Sequence, residues 1–440
     1  MKRLFFLVSL SALLTVSCTG GSGKDGFAHV ENGQFIVNGE PYRFVGVNFW
    51  CAAVLGSEGR GGDRERLSRE LDAMKELGIT NLRVLVGADG PLDTLSTAFS
   101  NVADASGNAV FGQVVRSSVV QPTLQIAPGV YNEELLDGLD WFMAELGKRG
   151  MMAVLYLNNT WSWSGGYGQY LRWAHPDSRR INTGAYYTDH KADSLFRNHV
   201  RFILGRTNRY TGLKYTEDPA IFSWQLGNEP RPLGRGNKTA FVEWISGTAA
   251  LIRSLDSNHM ISTGNEGEMG SDNDWELVDA INSIPDISYM TIHIWPFNWS
   301  WIHAGSVEAD VENAMEQTAK YIDAHSALAT DFSKPMVIEE FGYPRDGFRF
   351  KTGTPTSARD RYFSFIFERM VEAKAQKAPL AGCNIWAWGG LAETPEDHDY
   401  WYVGDDYTGD PAMEQQGLNS VFLSDKSTVE LIKETNQSLR

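Results

Sequence analysis

The chain has 440 residues, 42% of them hydrophobic, and a formal net charge of −16; that length buries a core large enough for one big domain or two ordinary ones. The charge excludes a polyanionic partner such as nucleic acid, whose counterions only clustered Lys and Arg displace, and leaves neutral or cationic ligands. Aromatic residues make up 12%, with 14 Trp, which exceeds what a core needs; indole faces suit the apolar faces of sugars, although each Trp taken singly reads first as packing.

Lys2 and Arg3 precede an apolar run from Leu4 to Val16, the order of an export signal, and the run is too short for a permanent membrane span. Thr15-Val16-Ser17-Cys18 resembles the lipobox of bacterial lipoproteins, with Thr in place of the usual Leu. The resemblance implies a signal peptide over 1–17, lipidation of Cys18, and anchoring to the outer membrane at its periplasmic or surface face. Gly20, Gly21, Ser22 and Gly23 then make a flexible tether over 18–26. Cys51 and Cys383 fall at opposite strand ends and are expected to be unbridged, as small buried hydrophobes.

Phe27 to Pro41 reads as a small hairpin with turns at Asn32-Gly33 and Asn38-Gly39, placed to plug a barrel floor. Eight short apolar runs follow: Arg43 to Phe49, Asn81 to Val86, Met151 to Leu157, Ile221 to Leu226, Met260 to Gly264, Tyr289 to Ile294, Pro335 to Glu340 and Gly382 to Trp388. They lack a polar face, so they are strands covered on both sides. Between them lie stretches of helical spacing, among them Arg64 to Leu77, Glu133 to Lys148, Asp193 to Tyr210, Phe241 to Leu255, Val307 to Leu328 and Ala358 to Lys374. Eight strand-helix units predict a (β/α)8 barrel over 27–440, enlarged by long loops that form a cleft. The alternative, an open doubly wound sheet, advertises a Gly-rich phosphate turn that Gly46-Val47-Asn48-Phe49 does not supply.

In such a barrel the reactive residues sit at the C-terminal strand ends. There the chain carries Arg83, Asn228-Glu229-Pro230, Glu266, His293 with Trp295, Glu339-Glu340-Phe341-Gly342 and Trp386. Strands four and seven each bring a carboxylate to the rim, and breaking an acetal needs two: one to protonate the leaving oxygen, one to meet the oxocarbenium-like carbon. His293 as a satisfied interior side chain and Arg83 as a buried ion pair are the plainer readings.

Leu226 to Pro232 (LGNEPRP) and Val337 to Arg345 (VIEEFGYPR), with Arg83, His293 and Trp386 in register, resemble the motifs of glycoside hydrolase family 5, a retaining family of clan A. The resemblance spans essentially all of the chain after Phe27. It implies Glu229 as acid/base, shifted upward in pKa to arrive protonated, and Glu340 as nucleophile, kept ionised by Arg83. Pleat alternation is expected to turn Glu339 away from the mouth. Asn228 is similar to the residue binding the sugar 2-hydroxyl, His293 to the active-site His, and Trp386 to the aromatic floor. Trp295 stands where many members have a Tyr that hydrogen-bonds the nucleophile.

Within the family the resemblance is to bacterial endo-β-1,4-mannanases, through Trp161 to Gly166, His293 to Pro296, Asn384 to Leu391 and the long last loop, Tyr400 to Phe422. It implies substrate contacts from Trp161, Trp163, Arg231 and Glu266, a β-mannan, glucomannan or galactomannan substrate, no cofactor, no metal and a monomer. Trp161 and Trp163 suit a glucan groove equally, and an endoglucanase, an exo-β-mannosidase or a non-catalytic glycan-binding lipoprotein remain as competitors. Asp405, Asp406 and Asp410 are expected to form a solvated acidic turn.

Overall fold

A computed structural model describes residues 26–91, the backbone of 102–103 and 109–110, and residues 119–440. The export signal, Cys18 and the tether up to residue 25 lie outside the described residues. Eight parallel strands form the barrel: β1 Phe44–Asn48, β2 Asn81–Leu85, β3 Met152–Tyr156, β4 Ile221–Gln225, β5 Met260–Ser262, β6 Met290–Ile294, β7 Met336–Phe341 and β8 Leu380–Ile385. Every residue in them is buried, which is why they show no polar alternation in sequence. They pair in the order β5-β4-β3-β2-β1-β8-β7-β6. The seam between β5 and β6 is bridged by Ser288, whose N–H donates to the Ile261 carbonyl at 2.8 Å and whose Oγ accepts from the Ile261 N–H at 3.1 Å.

A main helix follows each strand: α1 Arg64–Glu76, α2 Glu133–Lys148, α3 His190–Leu204, α4 Lys238–Leu255, α5 Trp275–Asn282, α6 Val311–Asp331, α7 Ser357–Gln376 and α8 Lys426–Leu439, with short extra helices at Ala52–Leu55 and Gly166–Ala174 in the loops after β1 and β3. Side-chain caps from Asp63, Asn132, Asp189 and Asp274 fix the starts of α1, α2, α3 and α5. Asp189 accepts from the Lys191 and Ala192 N–H groups, so α3 begins earlier than Asp193. Asp310 accepts from the His303 N–H and so stands outside α6, which starts after Val307. Helices α5 and α8 escape the periodicity reading: one has only two turns, and the other is largely polar.

The N-terminal segment is a three-stranded meander, His29–Glu31, Gln34–Val37 and Glu40–Pro41, rather than a single hairpin. Its turns fall at the expected sites, where Asn32, Gly33, Asn38 and Gly39 all have positive φ. Phe35 points from it into the barrel and is fully buried, with ring centroids 5.0 Å from Phe222 and 5.2 Å from Tyr289. Phe44, Met152, Val154, Met260 and Val337 complete this apolar floor. Cys51 and Cys383 are buried and unpaired, as expected.

Candidate active site

The polar end of the barrel is assembled around Arg83, which is fully buried. Its guanidinium donates to Gln225 Oε1 at 2.8 Å, Asn48 Oδ1 at 3.0 Å, Asn228 Oδ1 at 2.7 Å and Glu340 Oε1 at 2.5 Å. It also lies 4.6 Å over the Tyr156 ring. An ion pair taken out of water is tolerated only when the remaining donors are satisfied, and here they are. Glu340 is thereby fixed in position, and strand pairing sets His293 directly opposite it.

Glu229 comes from the loop after β4. Its φ is +49°, a conformation that a non-glycine residue holds only when its surroundings dictate it. Three contacts do so: its N–H donates to the Gly264 carbonyl at 3.0 Å, its carbonyl accepts from Thr160 Oγ1 at 2.7 Å, and Asn228 is held by the Asn158 carbonyl at 2.8 Å. The carboxylate of Glu229 thus turns to the barrel axis. A carboxylate oxygen of Glu229, one of Glu340 and a ring nitrogen of His293 all lie within 4.8 Å of one another.

His293 Nδ1 sits between the two, 2.8 Å from Glu229 Oε1 and 3.2 Å from Glu340 Oε2. Its Nε2 is buried without a partner, so any charge on the ring rests wholly on these two carboxylates. Burial lowers the His293 pKa, but Glu340 and Glu229 more than reverse this and raise it to about 10. Among the described residues no other three side chains are grouped to hold a metal ion, and this trio is already tied together by its own hydrogen bonds.

The expected upward shift of Glu229 is not found in the free site. Burial raises its pKa, but the hydrogen bond and charge of His293, the Arg231 charge and the Trp161 indole outweigh that and bring it down to about 2. Trp161 Nε1 donates directly to Glu229 Oε2. Arg231 lies 5.1 Å over the Trp161 ring and is gripped at Nε and Nη2 by the two oxygens of buried Glu266.

Glu339 corrects the pleat argument. Pairing of β7 with β8 is irregular between Ile338 and Phe341, so alternation fails there and Glu339 also faces the barrel interior. It lies beneath the mouth, accepting from Gln225 Nε2 at 2.5 Å and Tyr289 Oη at 3.2 Å. Glu340 alone of the two reaches His293.

Trp386 at the end of β8 packs edge-to-face against Trp295, centroids 6.1 Å apart, and Trp163, 6.3 Å apart. Trp163 is buried behind it and braced by Trp50 at 6.0 Å. Among the described residues Trp295 makes no hydrogen bond to Glu340. A Cβ on Gly342 would lie 2.8 Å from Asn419 Oδ1 and 2.9 Å from Trp295 Cζ3, which is why glycine follows Phe341.

The acidic turn is also corrected. Asp410 is buried, not solvated, and accepts from the N–H groups of Gly417, Asn419 and Ser420 at 2.9, 2.9 and 3.1 Å. Asp405 takes His398 Nε2 and the Tyr402 N–H, while Asp406 takes the Glu393 N–H. Sequence reasoning missed Asn48, Gln225, Asn159 and Glu414. The first three are polar residues at or just past the ends of apolar strands: Asn48 and Asn159, whose Oδ1 accepts from Asn228 Nδ2 at 3.3 Å, belong to β1 and β3, where the signal goes unused, and Gln225 ends β4 just ahead of the Asn228-Glu229 pair that is read there. Glu414 Oε2 is buried without a partner; burial and the charges of Asp410, Glu340 and Glu229 push its pKa up to about 8.

The model of family 5 β-mannosidase-like glycoside hydrolases matches residues 25–440. The chain belongs to this family. As a family 5 glycoside hydrolase it is 27% identical over 403 residues to mannan endo-1,4-β-mannosidase 7 of Arabidopsis thaliana, covering 88% of this chain and 84% of the relative. It is 32% identical over 294 residues to mannan endo-1,4-β-mannosidase 4 of Solanum lycopersicum, covering 64% of this chain and 70% of that one. A solved family 5 mannosidase from Rhizomucor miehei superposes with a TM-score of 0.81 at 29% identity, over 94% of this chain and 98% of the other. The endo-β-1,4-mannanase of Thermotoga petrophila shares the fold, with a TM-score of 0.65 at 23% identity, over 91% and 78% of the two chains. The expected kinship with bacterial mannanases in particular is therefore not shown, since the relatives above 25% identity named here come from plants and a fungus.

Proposed function

We propose that this glycoside hydrolase cleaves internal β-1,4-mannosidic bonds of mannan-type polysaccharides by double displacement, with Glu340 as nucleophile and Glu229 as acid/base. The observation that carries the reading is the approach of the two carboxylates, with an oxygen of each within 4.8 Å. Retaining enzymes hold their carboxyl groups about 5 to 5.5 Å apart, while inverting ones need about 6.5 to 9.5 Å to admit a water. Glu340 attacks the anomeric carbon as Glu229 protonates the departing oxygen; Glu229 then takes a proton from the water that releases the sugar. In this reading Asn228, hydrogen-bonded to Arg83, meets the 2-hydroxyl, Trp386 floors the sugar being cut, and Arg231 with Trp161 holds the departing side.

Mannan as substrate is supported by the plant relatives, which are named as mannan endo-1,4-β-mannosidases. An exo-acting β-mannosidase is the second reading, favoured by the β-mannosidase-like description of the family model and by the likeness to the R. miehei mannosidase. Hydrolysis of mannan against carboxymethyl cellulose, with product lengths followed over time, separates these: an early spread of oligomers marks endo action, mannose alone marks exo action, and no mannan cleavage overturns both. Proton NMR of the first-formed product reads retention. Export and anchoring through Cys18 belong to the same proposal; Cys18→Ala should release the protein from the membrane fraction.

A further inference from the structure

We infer that Trp161 is a removable stand-in for the leaving group, joining His293 and Arg231 in holding Glu229 ionised in the empty site and leaving Oε2 open to a proton when sugar occupies the departing side. The inference rests on Glu229 being the acid/base.

Two N–H donors address Glu229, one on each oxygen: His293 Nδ1 on Oε1 and Trp161 Nε1 on Oε2. That arrangement suits a carboxylate, which accepts at both oxygens. An indole N–H donates only, so the Oε2 lone pair that Trp161 occupies cannot carry the proton while the indole is there. The glycosidic oxygen takes the place of the indole at that lone pair. When it does, the carboxylate loses one of the two donors that favour its charged form, and it binds one proton from solvent at Oε2 while His293 continues to donate to Oε1. That proton passes to the leaving oxygen as the glycosidic bond breaks.

The indole is held rather than free. Arg231 covers its face, and Glu266 fixes Arg231 at two nitrogens. Trp161 is only partly buried, so it has somewhere to go. The charged groups around Glu229 are His293 on β6, Glu340 on β7, Arg83 on β2, Arg231 and Glu266 on the loops after β4 and β5, and Glu414 on the loop after β8. Of the side chains that hydrogen-bond Glu229, Trp161 is the one a leaving group must move.

The test is the pH profile of Trp161→Phe, which keeps an aromatic face for Arg231 and removes the N–H. The basic limb of kcat/KM reports the acid in the free enzyme, and that of kcat reports it in the complex. In the wild type the first should lie below the second. In Trp161→Phe the kcat/KM limb should rise by about one pH unit, the effect of losing one hydrogen bond to a charged group, while the kcat limb stays. In Glu340→Ala, the Trp161 indole N–H resonance, assigned by its loss in Trp161→Phe, should move on adding mannotriose. Unmoved limbs in Trp161→Phe, or an unmoved resonance in a mannotriose-saturated sample, overturn the inference. Glu229→Ala separates the two readings: if it abolishes mannan cleavage but spares the initial burst of dinitrophenol from a dinitrophenyl mannoside, whose leaving group needs no proton, the acid/base assignment stands on its own.

Discussion

The two ends of one barrel are built on opposite principles. At the floor, Phe35, Phe44, Phe222 and Tyr289 interlock with aliphatic neighbours, and burial there is almost wholly favourable. At the mouth and just beneath it, Arg83, Glu339, Glu340, His293 and Glu229 are buried together, Glu229 has left-handed backbone, and His293 Nε2 and Glu414 Oε2 lack partners. Burying charge and strain costs stability. The contrast teaches that the floor supplies what the mouth consumes, so activity and stability should be separable by position.

The largest expected effect is at the mouth. Glu340→Gln should lower kcat on mannan by about 10⁴-fold or more, with the melting temperature little changed because the amide oxygen still accepts from Arg83; retained turnover would break the contrast at its centre. Next comes the floor, where Phe35→Ala should cost about 3–5 kcal/mol in denaturant unfolding while kcat/KM at 25 °C stays within twofold. Comparable loss of activity would show the floor to be part of the site.

Asp410→Asn probes a region that serves both ends. Its carboxylate organises the last loop, and losing charge-assisted hydrogen bonds of this kind costs about 1.5–3 kcal/mol. Activity should fall as well, about tenfold, because Asn419 of that loop abuts Gly342 and Trp295 beside Glu340, the proposed nucleophile.

The smallest effect is a slope. Burial raises the Glu339 carboxyl above its ordinary value of 4.5, although Arg83, His293, Gln225 and Tyr289 oppose it. A raised carboxyl keeps its proton in the folded state where the unfolded chain has released it, so stability falls as pH rises above about 4.5 until the folded pKa is passed. Glu339→Gln should flatten that fall by at most about 1.4 kcal/mol per pH unit. A slope identical to the wild type between pH 5 and 8 would remove Glu339 from the mouth's cost.

The alternation of apolar runs and amphipathic stretches determined the barrel, because strands covered on both faces must be apolar throughout and helices covered on one face must not. The same rule placed Glu229, Glu340, Arg83, His293 and Trp386 at one rim, since polar residues ending such strands have only the mouth to occupy. The Asn-Gly pairs likewise specified the meander's turns, a property of the local backbone. Only the tertiary structure decided that Glu339 faces inward beneath Glu340, because a pairing irregularity breaks the pleat on which the alternation rule depends. It also decided that Asp410 is a buried organiser and that His293, Arg231 and Trp161 together lower Glu229 instead of leaving it protonated. Those outcomes depend on which donors from distant loops converge on one carboxylate, and residue type and local spacing carry no information about such long-range neighbours.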